Sequence, residues 1–337
     1  MEEKVKHMKA IFTLPAAEKK FLEKEIPIPK IENERDLLVE VQAISVNPVD
    51  IKQSQQLREP RILGFDASGI VKQIGKKCQF FKEGDQVFYS GMANRSGSNT
   101  QYQLIDERFV GTKPAIVDYA LSAAIPLTSL TAWEALTDRL MIKQLETIDQ
   151  SILIINGAGG VGSIAIQLAK YLGLKVITTA SRKETAKWVK EMGADIVINH
   201  HHSLVEQLNQ QKIRNVDYIL CLYNTNFYWE EMSQLIKPEG KICSIVGTNQ
   251  PIDLEKLKDK SVSFSWEYMF TRSKYQTKDR EKQHEILEKI SKLYDQKQLK
   301  TTTTKTLQPI NANNLEKAYQ LVASGKMIGK LTLSGWY

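Results

Sequence analysis

The sequence predicts a doubly wound α/β domain built on a parallel sheet, preceded by a small β-rich lobe. Three observations carry this. From Ser151 onward, short runs rich in isoleucine and valine alternate strictly with helical periods. The first of those runs stops at glycines 157, 159 and 162, in the G-x-G-x-x-G spacing. Residues 60–90 are dense in glycine and alternating apolar residues, as short strands and tight turns require. At 337 residues the chain is also long for one hydrophobic core.

Taken in order, residues 9–14 read as a first strand and Leu37 to Ile44 as a strong one. SVNPVDIKQ follows, where Pro48 marks a turn or irregular loop. GFDASGIVKQIG and FKEGDQVFY supply the short strands of 60–90, GMANRSGSNTQ (91–101) is a polar loop, and YQLIDERFV resumes a strand. VDYALSAAIPLTSLTAWEAL (117–136) reads as two helices broken at Pro126, bridging the lobes. Strand 151–156 then leads to helix 163–172, strand 175–180 and helix 183–192. Strand 195–199, a short helix near 203–211, strand 216–222, a helix near 228–236 and strand 241–246 complete the alternation. Five apolar strands separated by helices mean a parallel, doubly wound sheet. Beyond it lie the apolar stretch 261–270, a charged helix over 278–298, and Thr301 to Thr304 as strand or loop. A helix over 313–323 and the closing strand GKLTLSGWY end the chain.

Composition narrows the function classes. Hydrophobic residues make up 42% and charged residues 25%, ordinary for a soluble enzyme. No apolar run approaches a membrane span, and MEEKVKHMKAIF lacks the apolar core of a secretion signal. Cys78, Cys221 and Cys243 are odd in number and far apart, which suits a reducing cytoplasm. The net charge of +7 is spread along the chain, so it reads as a solvated surface rather than a nucleic-acid face.

Strand, glycine turn and helix arrive in the order a dinucleotide site needs. Gly157 permits the tight turn, Gly159 lets backbone approach a pyrophosphate, and Gly162 lets helix pack on strand. Gly160 and Val161 lie between them, at a helix N-terminus that offers free N–H groups and a positive dipole end. The second strand, KVITTA, ends beside the adenosine ribose, where an NAD site places an acidic side chain. Here Ala180, Ser181, Arg182 and Lys183 stand instead. A carboxylate would repel a 2′-phosphate, whereas these groups hydrogen-bond it, so the expected cofactor is NADPH. The bland alternative is that Arg182 and Lys183 only solvate a helix start. His200, at the end of the third strand, borders the same pocket. The triplet His200-His201-His202 is not read as a metal site, because consecutive residues cannot all face one way.

The motifs NPVD, GFDASG, EGDQV, IPLTSLTAWEAL, GAGGVG, MGAD and GKLTL appear in that order from about Met8 to the C-terminus. In this the chain resembles the medium-chain dehydrogenase/reductase superfamily, in its quinone oxidoreductase branch. It is most similar to the bacterial proteins called zinc-type alcohol dehydrogenase-like. The resemblance implies a GroES-like catalytic domain of residues 1–124 and 271–337, a Rossmann cofactor domain of 125–270, and a homodimer joined through the cofactor domains. It further implies that Asn47 and Asp50 line the cleft near the nicotinamide and that Thr131 contacts the nicotinamide or its ribose. The glycines from 157 to 162 would hold the pyrophosphate; Tyr223, Asn224 and Gly247 would border the cofactor ribose. The residues themselves admit plainer roles: Asn47 as a cap on the turn at Pro48, Asp66 as an acceptor for local backbone N–H groups, Thr131 as a helix N-cap.

The family's zinc enzymes carry a cysteine where this chain has Asn47, and G-H-E where it has Gly64-Phe65-Asp66. A catalytic zinc needs three protein ligands, mostly sulfur or imidazole, so no metal is expected. The chain also departs from the family's quinone reductases, with Lys52 and Gln53 and no tyrosine between Asp50 and Gly64. Without a Lewis acid an alcohol is hard to oxidise, but charge arriving with hydride delocalises onto oxygen in a quinone or an α,β-unsaturated carbonyl. The expected activity is therefore metal-free reduction of such a small carbonyl or quinone substrate by NADPH. The competing readings are a zinc-dependent aldehyde or alcohol dehydrogenase and an NADPH-binding redox sensor without turnover.

Overall fold

A computed structural model describes residues 6–15, 20–144 and 149–336. The first five residues, part of the stretch read for a secretion signal, lie outside them. The chain forms two compact units. One comprises Met1–Leu127, Phe270–Lys297 and Thr301–Tyr337; the other comprises Thr128–Met269 with Gln298–Lys300.

The first unit begins with β1 (His7–Thr13), β2 (Phe21–Pro27), β3 (Asp36–Ser45), α1 (Pro48–Gln55), β4 (Arg61–Ile62) and β5 (Asp66–Ile74). It continues through β6 (Gln86–Ser90), β7 (Tyr102–Asp106), β8 (Val110–Thr112) and α2 (Tyr119–Ser122). Pro48 is a correction to the sequence reading: it opens α1 at the first helical position instead of breaking the chain into a loop. A proline fits there because its fixed φ is helical and its missing N–H would have had no partner in the helix.

In α3 (Pro126–Trp133) the chain passes into the second unit and continues through a π-helical turn, Glu134–Arg139. There follow β9 (Ser151–Ile155), α4 (Gly160–Tyr171), β10 (Lys175–Thr179), α5 (Lys183–Glu191), β11 (Ile196–Ile198) and α6 (Leu204–Gln210). Next are β12 (Val216–Cys221), α7 (Thr225–Leu235), β13 (Ile236–Ser244) and β14 (Ser263–Trp266). These strands form one sheet in the order β11-β10-β9-β12-β13-β14, every neighbour parallel. That is the 3-2-1-4-5-6 order of a Rossmann domain, with its switch point between β9 and β12. Ile152 to Ile155 of the central β9 are at most 1% exposed, which is why that strand is a continuous apolar run. The sheet has six strands rather than five: Ser263–Trp266 adds the last, an edge too short to separate from its apolar surroundings in sequence. Helix α4 starts at Gly160, earlier than expected, because the glycines themselves form its first turn.

The chain then returns to the first unit with α8 (Thr271–Tyr275), α9 (Lys282–Asp295), β15 (Thr303–Leu307), α10 (Ala312–Ala323) and β16 (Lys330–Ser334). There a three-stranded sheet, β2-β1-β4, accompanies a seven-stranded one ordered β15-β16-β3-β5-β6-β8, with β7 also paired to β3. Ser45 at the end of β3 stands opposite Asp66 of β5 on one side and Thr332 of β16 on the other. Among the described residues no helix is long and apolar enough to cross a membrane.

Candidate functional site

The glycine turn is built under different constraints at its three positions. A Cβ on Gly157 would fall 2.0 Å from Thr178 Oγ1, which donates to the Ile154 carbonyl at 2.8 Å. A Cβ on Gly162 would meet the Asn156 carbonyl oxygen at 2.4 Å and Gly157 Cα at 2.6 Å. These two glycines are dictated by the packing of strand, turn and helix. Gly159 is not: its nearest neighbour would be Asn156 Nδ2 at 3.5 Å, an ordinary contact. The protein's own packing would accept a Cβ there, so the packing does not dictate this glycine. Asn156 turns the chain in the left-handed region at φ 72°, and its N–H donates to Thr179 Oγ1 at 2.8 Å, tying the ends of β9 and β10 together. Ser163 donates to the Gly159 carbonyl at 2.8 Å and accepts from Trp188 Nε1 at 2.8 Å, fixing the helix start.

At the end of β10, Ala180 is buried, Ser181 half-buried, and Arg182 and Lys183 exposed. Arg182 caps α5 with its backbone: its N–H donates to Thr185 Oγ1 at 3.0 Å, and that hydroxyl donates back to its carbonyl at 2.8 Å. Glu184, also exposed, supplies the acidic residue of the helix's first turn, a residue absent from the sequence-based site. His200 follows β11 half-buried, its ring edge-on to His201 at 4.7 Å; burial, then the neighbouring ring, lowers its pKa. Tyr223 and Asn224 follow β12, both exposed. Asn224 adopts φ 31° and its Oδ1 accepts from Phe227 N at 3.1 Å, starting α7. Gly247 follows β13, and a Cβ placed on it would meet nothing within 4 Å. The structure thus gathers every cofactor residue read from sequence at the C-terminal ends of β9 to β13, where an open α/β sheet binds ligands.

Thr131 lies buried inside α3, five residues past its start, so the N-cap alternative is withdrawn.

In the first unit, Asn47 and Asp50 belong to a buried polar cluster that also holds Asp66 and Lys330. Asn47 Nδ2 donates to Asp66 Oδ2 at 2.8 Å, and Asn47 Oδ1 accepts from Lys330 Nζ. Lys330 Nζ also donates to Asp66 Oδ2 at 3.0 Å and to the Val46 carbonyl at 3.4 Å. Asp66 Oδ1 accepts from Leu127 N at 2.8 Å. Asp66 is therefore not a local turn acceptor, since its partners are the cap of α1, the start of α3 and β16. The Asn47 N–H donates to Asp50 Oδ2 at 2.7 Å, while Asp50 Oδ1 is buried with no hydrogen-bond partner. Burial pushes the Asp50 carboxyl up to about 7; the Asn47 N–H opposes this, the Asp66 charge adds to it, and the Lys330 ammonium opposes it. Sequence reasoning missed Lys330, although a lysine opening a strand of alternating leucines and small hydroxyl residues was the available signal.

Residues 33–127 match the family model of the alcohol dehydrogenase GroES-like domain, and 160–299 that of the zinc-binding dehydrogenases. A zinc-type alcohol dehydrogenase-like protein of Staphylococcus epidermidis is 48% identical over 314 residues, 92% of this chain and 93% of that protein. The chain belongs to the medium-chain dehydrogenase/reductase superfamily. It is an oxidoreductase of that superfamily, whose members bind nicotinamide cofactors. The medium-chain fold also superposes on a Rhizobium etli protein assigned to the zinc-dependent alcohol dehydrogenases, with TM-score 0.93, 40% identity and 99% of both chains covered. An NADPH-dependent alkenal/one oxidoreductase of Arabidopsis thaliana is 32% identical over 246 residues, 68% of this chain and 60% of that protein.

The residues present fit a dinucleotide: a Cβ on Gly159 would make only ordinary contacts, with Asn156 at 3.5–4.0 Å, and the N-terminus of α4 begins at the next residue. They do not fit the zinc of the family's name. The cluster offers oxygen atoms alone, whereas zinc sites of this kind rest on sulfur and imidazole. Its Asp66 and Asn47 oxygens are already taken by an ammonium, an amide and a backbone N–H. No group of three or more His, Cys, Asp or Glu among the described residues could hold a metal ion.

Proposed function

We propose that this medium-chain enzyme uses NADPH to reduce an α,β-unsaturated carbonyl or a quinone, without a metal ion. The observation that carries this is the pair of turns at the ends of the neighbouring parallel strands β9 and β10: uncrowded at Gly159 after the first, and carrying Ser181 with the exposed Arg182 and Lys183 after the second. When bound, the cofactor supplies the hydride. The backbone amides from Gly159 to Gly162 hold its pyrophosphate, and Ser181, Arg182 and Lys183 hold the 2′-phosphate. His200, Tyr223, Asn224 and Gly247 border its adenosine and ribose groups.

We assign Asn47, Asp50 and Thr131 to the reacting end. Asn47 is held rigidly by Asp66 and Lys330, so its position costs nothing further to organise when substrate arrives. Asp50 retains its proton to about pH 7 and keeps one oxygen unengaged, which suits a group that stores a proton for the reduced product. The name of the Arabidopsis relative supports an alkenal or enone as acceptor. The same reading expects a GroES-like catalytic lobe of 1–124 and 271–337, a homodimer and a cytoplasmic setting.

NADPH consumption over a panel of enones, quinones and aldehydes, with and without chelator, tests the proposal. Oxidation with enones or quinones that chelator leaves unchanged is expected. Alcohol-driven NADP⁺ reduction abolished by chelator would replace it with the dehydrogenase reading, and tight NADPH binding without turnover would replace it with the sensor.

A further inference from the structure

Lys330 has an unusual place for a lysine. Its side chain is 4% exposed and its carboxylate partner Asp66 is fully buried. Continuing the β16–β3 register, in which Thr332 faces Ser45, sets Lys330 opposite Asn47. Its ammonium carries three hydrogens and meets three oxygens: the Val46 carbonyl, Asn47 Oδ1 and Asp66 Oδ2. A fourth buried oxygen, Asp50 Oδ1, has no hydrogen-bond partner and lies in the field of the same charge.

We infer that Lys330 is a built-in cation: its ammonium fills the position among Asp66, Asn47 and Val46 that a divalent ion would take, and so holds the Asn47 carboxamide in place. Carboxylate, carboxamide and carbonyl oxygens are hard donors, suited to Mg²⁺, Ca²⁺ or Mn²⁺ rather than zinc. What keeps such an ion out is the ammonium. It neutralises Asp66, and it orients Asn47 with the carbonyl oxygen toward Lys330 and the amino group toward Asp66. Lys330 is thus a positioning residue that acts through Asn47. The inference rests on the metal-free reading above.

The test uses the full chain, stripped of metal and titrated with Mn²⁺, with bound ion followed by electron paramagnetic resonance and elemental analysis. Wild type and Lys330→Arg are expected to bind no ion that Asp66→Asn removes. Lys330→Met, of similar length and without charge, is expected to take up about one Mn²⁺ per chain, with its lowered melting temperature restored by the ion. Lys330→Met combined with Asp66→Asn is expected to take up none and to fold. If Lys330→Met alone fails to fold while the double variant folds, the charge-neutralising role stands; equal failure of both counts against it. A wild type that binds an ion through Asp66 would overturn both this inference and the metal-free reductase. A metal-free wild type whose folded Lys330→Met variant takes no ion would overturn this inference alone.

Discussion

Lys330 and Asp66 are 264 residues apart in sequence, and their charged atoms lie 3.0 Å apart in the core of one lobe. Removing one partner of such a buried pair leaves an uncompensated charge, at a cost of roughly 3–5 kcal/mol. Lys330→Met should therefore lower unfolding free energy by about that amount near pH 7. The double variant with Asp66→Asn should lose clearly less than the sum of the two single losses, as read by urea denaturation. Strict additivity would mean the two groups do not sense each other.

The glycine turn separates binding from folding. Gly159→Val places its Cβ in ordinary contact with Asn156, 3.5 Å away at the nearest, so the melting temperature should stay within a few degrees while NADPH affinity is lost. Gly157→Ala drives a methyl group into Thr178 Oγ1 and should destabilise the fold by about 1–3 kcal/mol. Fluorescence titration with NADPH and thermal melts on the same samples distinguish the two. Unchanged affinity in Gly159→Val would remove the site.

Arg182 and Lys183 stand at the corner where β10 becomes α5. A charge-assisted contact to phosphate is worth about 1.5–3 kcal/mol. Replacing both by alanine should therefore weaken NADPH at least tenfold while changing NADH little. Equal losses for the two cofactors, measured by titration, would reject the 2′-phosphate assignment.

Asp50 makes stability depend on pH with a definite sign. Its folded pKa, about 7, lies above the ordinary 3.8, so the folded state holds the proton more tightly than the unfolded chain. The resulting stabilisation is complete below about pH 4 and is lost as pH rises through 7, at most about 4 kcal/mol in all. Asp50→Asn, which keeps an oxygen for the Asn47 N–H, should flatten that decline and equal or exceed wild-type stability at pH 8. Glu267 adds a separate slope up to about pH 8: burial raises its carboxyl first, the adjacent Glu134 charge adds to this, and Arg139 opposes it. That slope should survive in the Asp50 variant. Melting temperatures from pH 4 to 9 provide the check.

Much of the cofactor lobe is legible in the sequence because local rules govern it. Short buried strands, a glycine turn and helix periods each leave a pattern within a dozen residues, and their order specifies the sheet. Pro48 misleads because the same residue ends one helix and begins another, and only the geometry at Asn47 distinguishes the cases. Asn47, Asp50 and Asp66 stand out in the sequence, but Lys330 does not, nor does the meeting of the four. Asp66 and Lys330 come to Asn47 and Asp50 through strand pairing between β3, β5 and β16, which has no local signature. The sixth strand of the cofactor sheet is hidden for a similar reason: four residues at an edge carry too little periodicity to announce themselves.

The discontinuous lobe also has a temporal side. During synthesis Asp66 leaves the ribosome long before the strand that neutralises it; at ordinary elongation rates the interval for 264 residues is roughly 15–50 s. Throughout it the nascent amino-terminal sheet lacks both the β16 strand and the charge partner of Asp66, while the whole of Thr128–Met269 is synthesised in between.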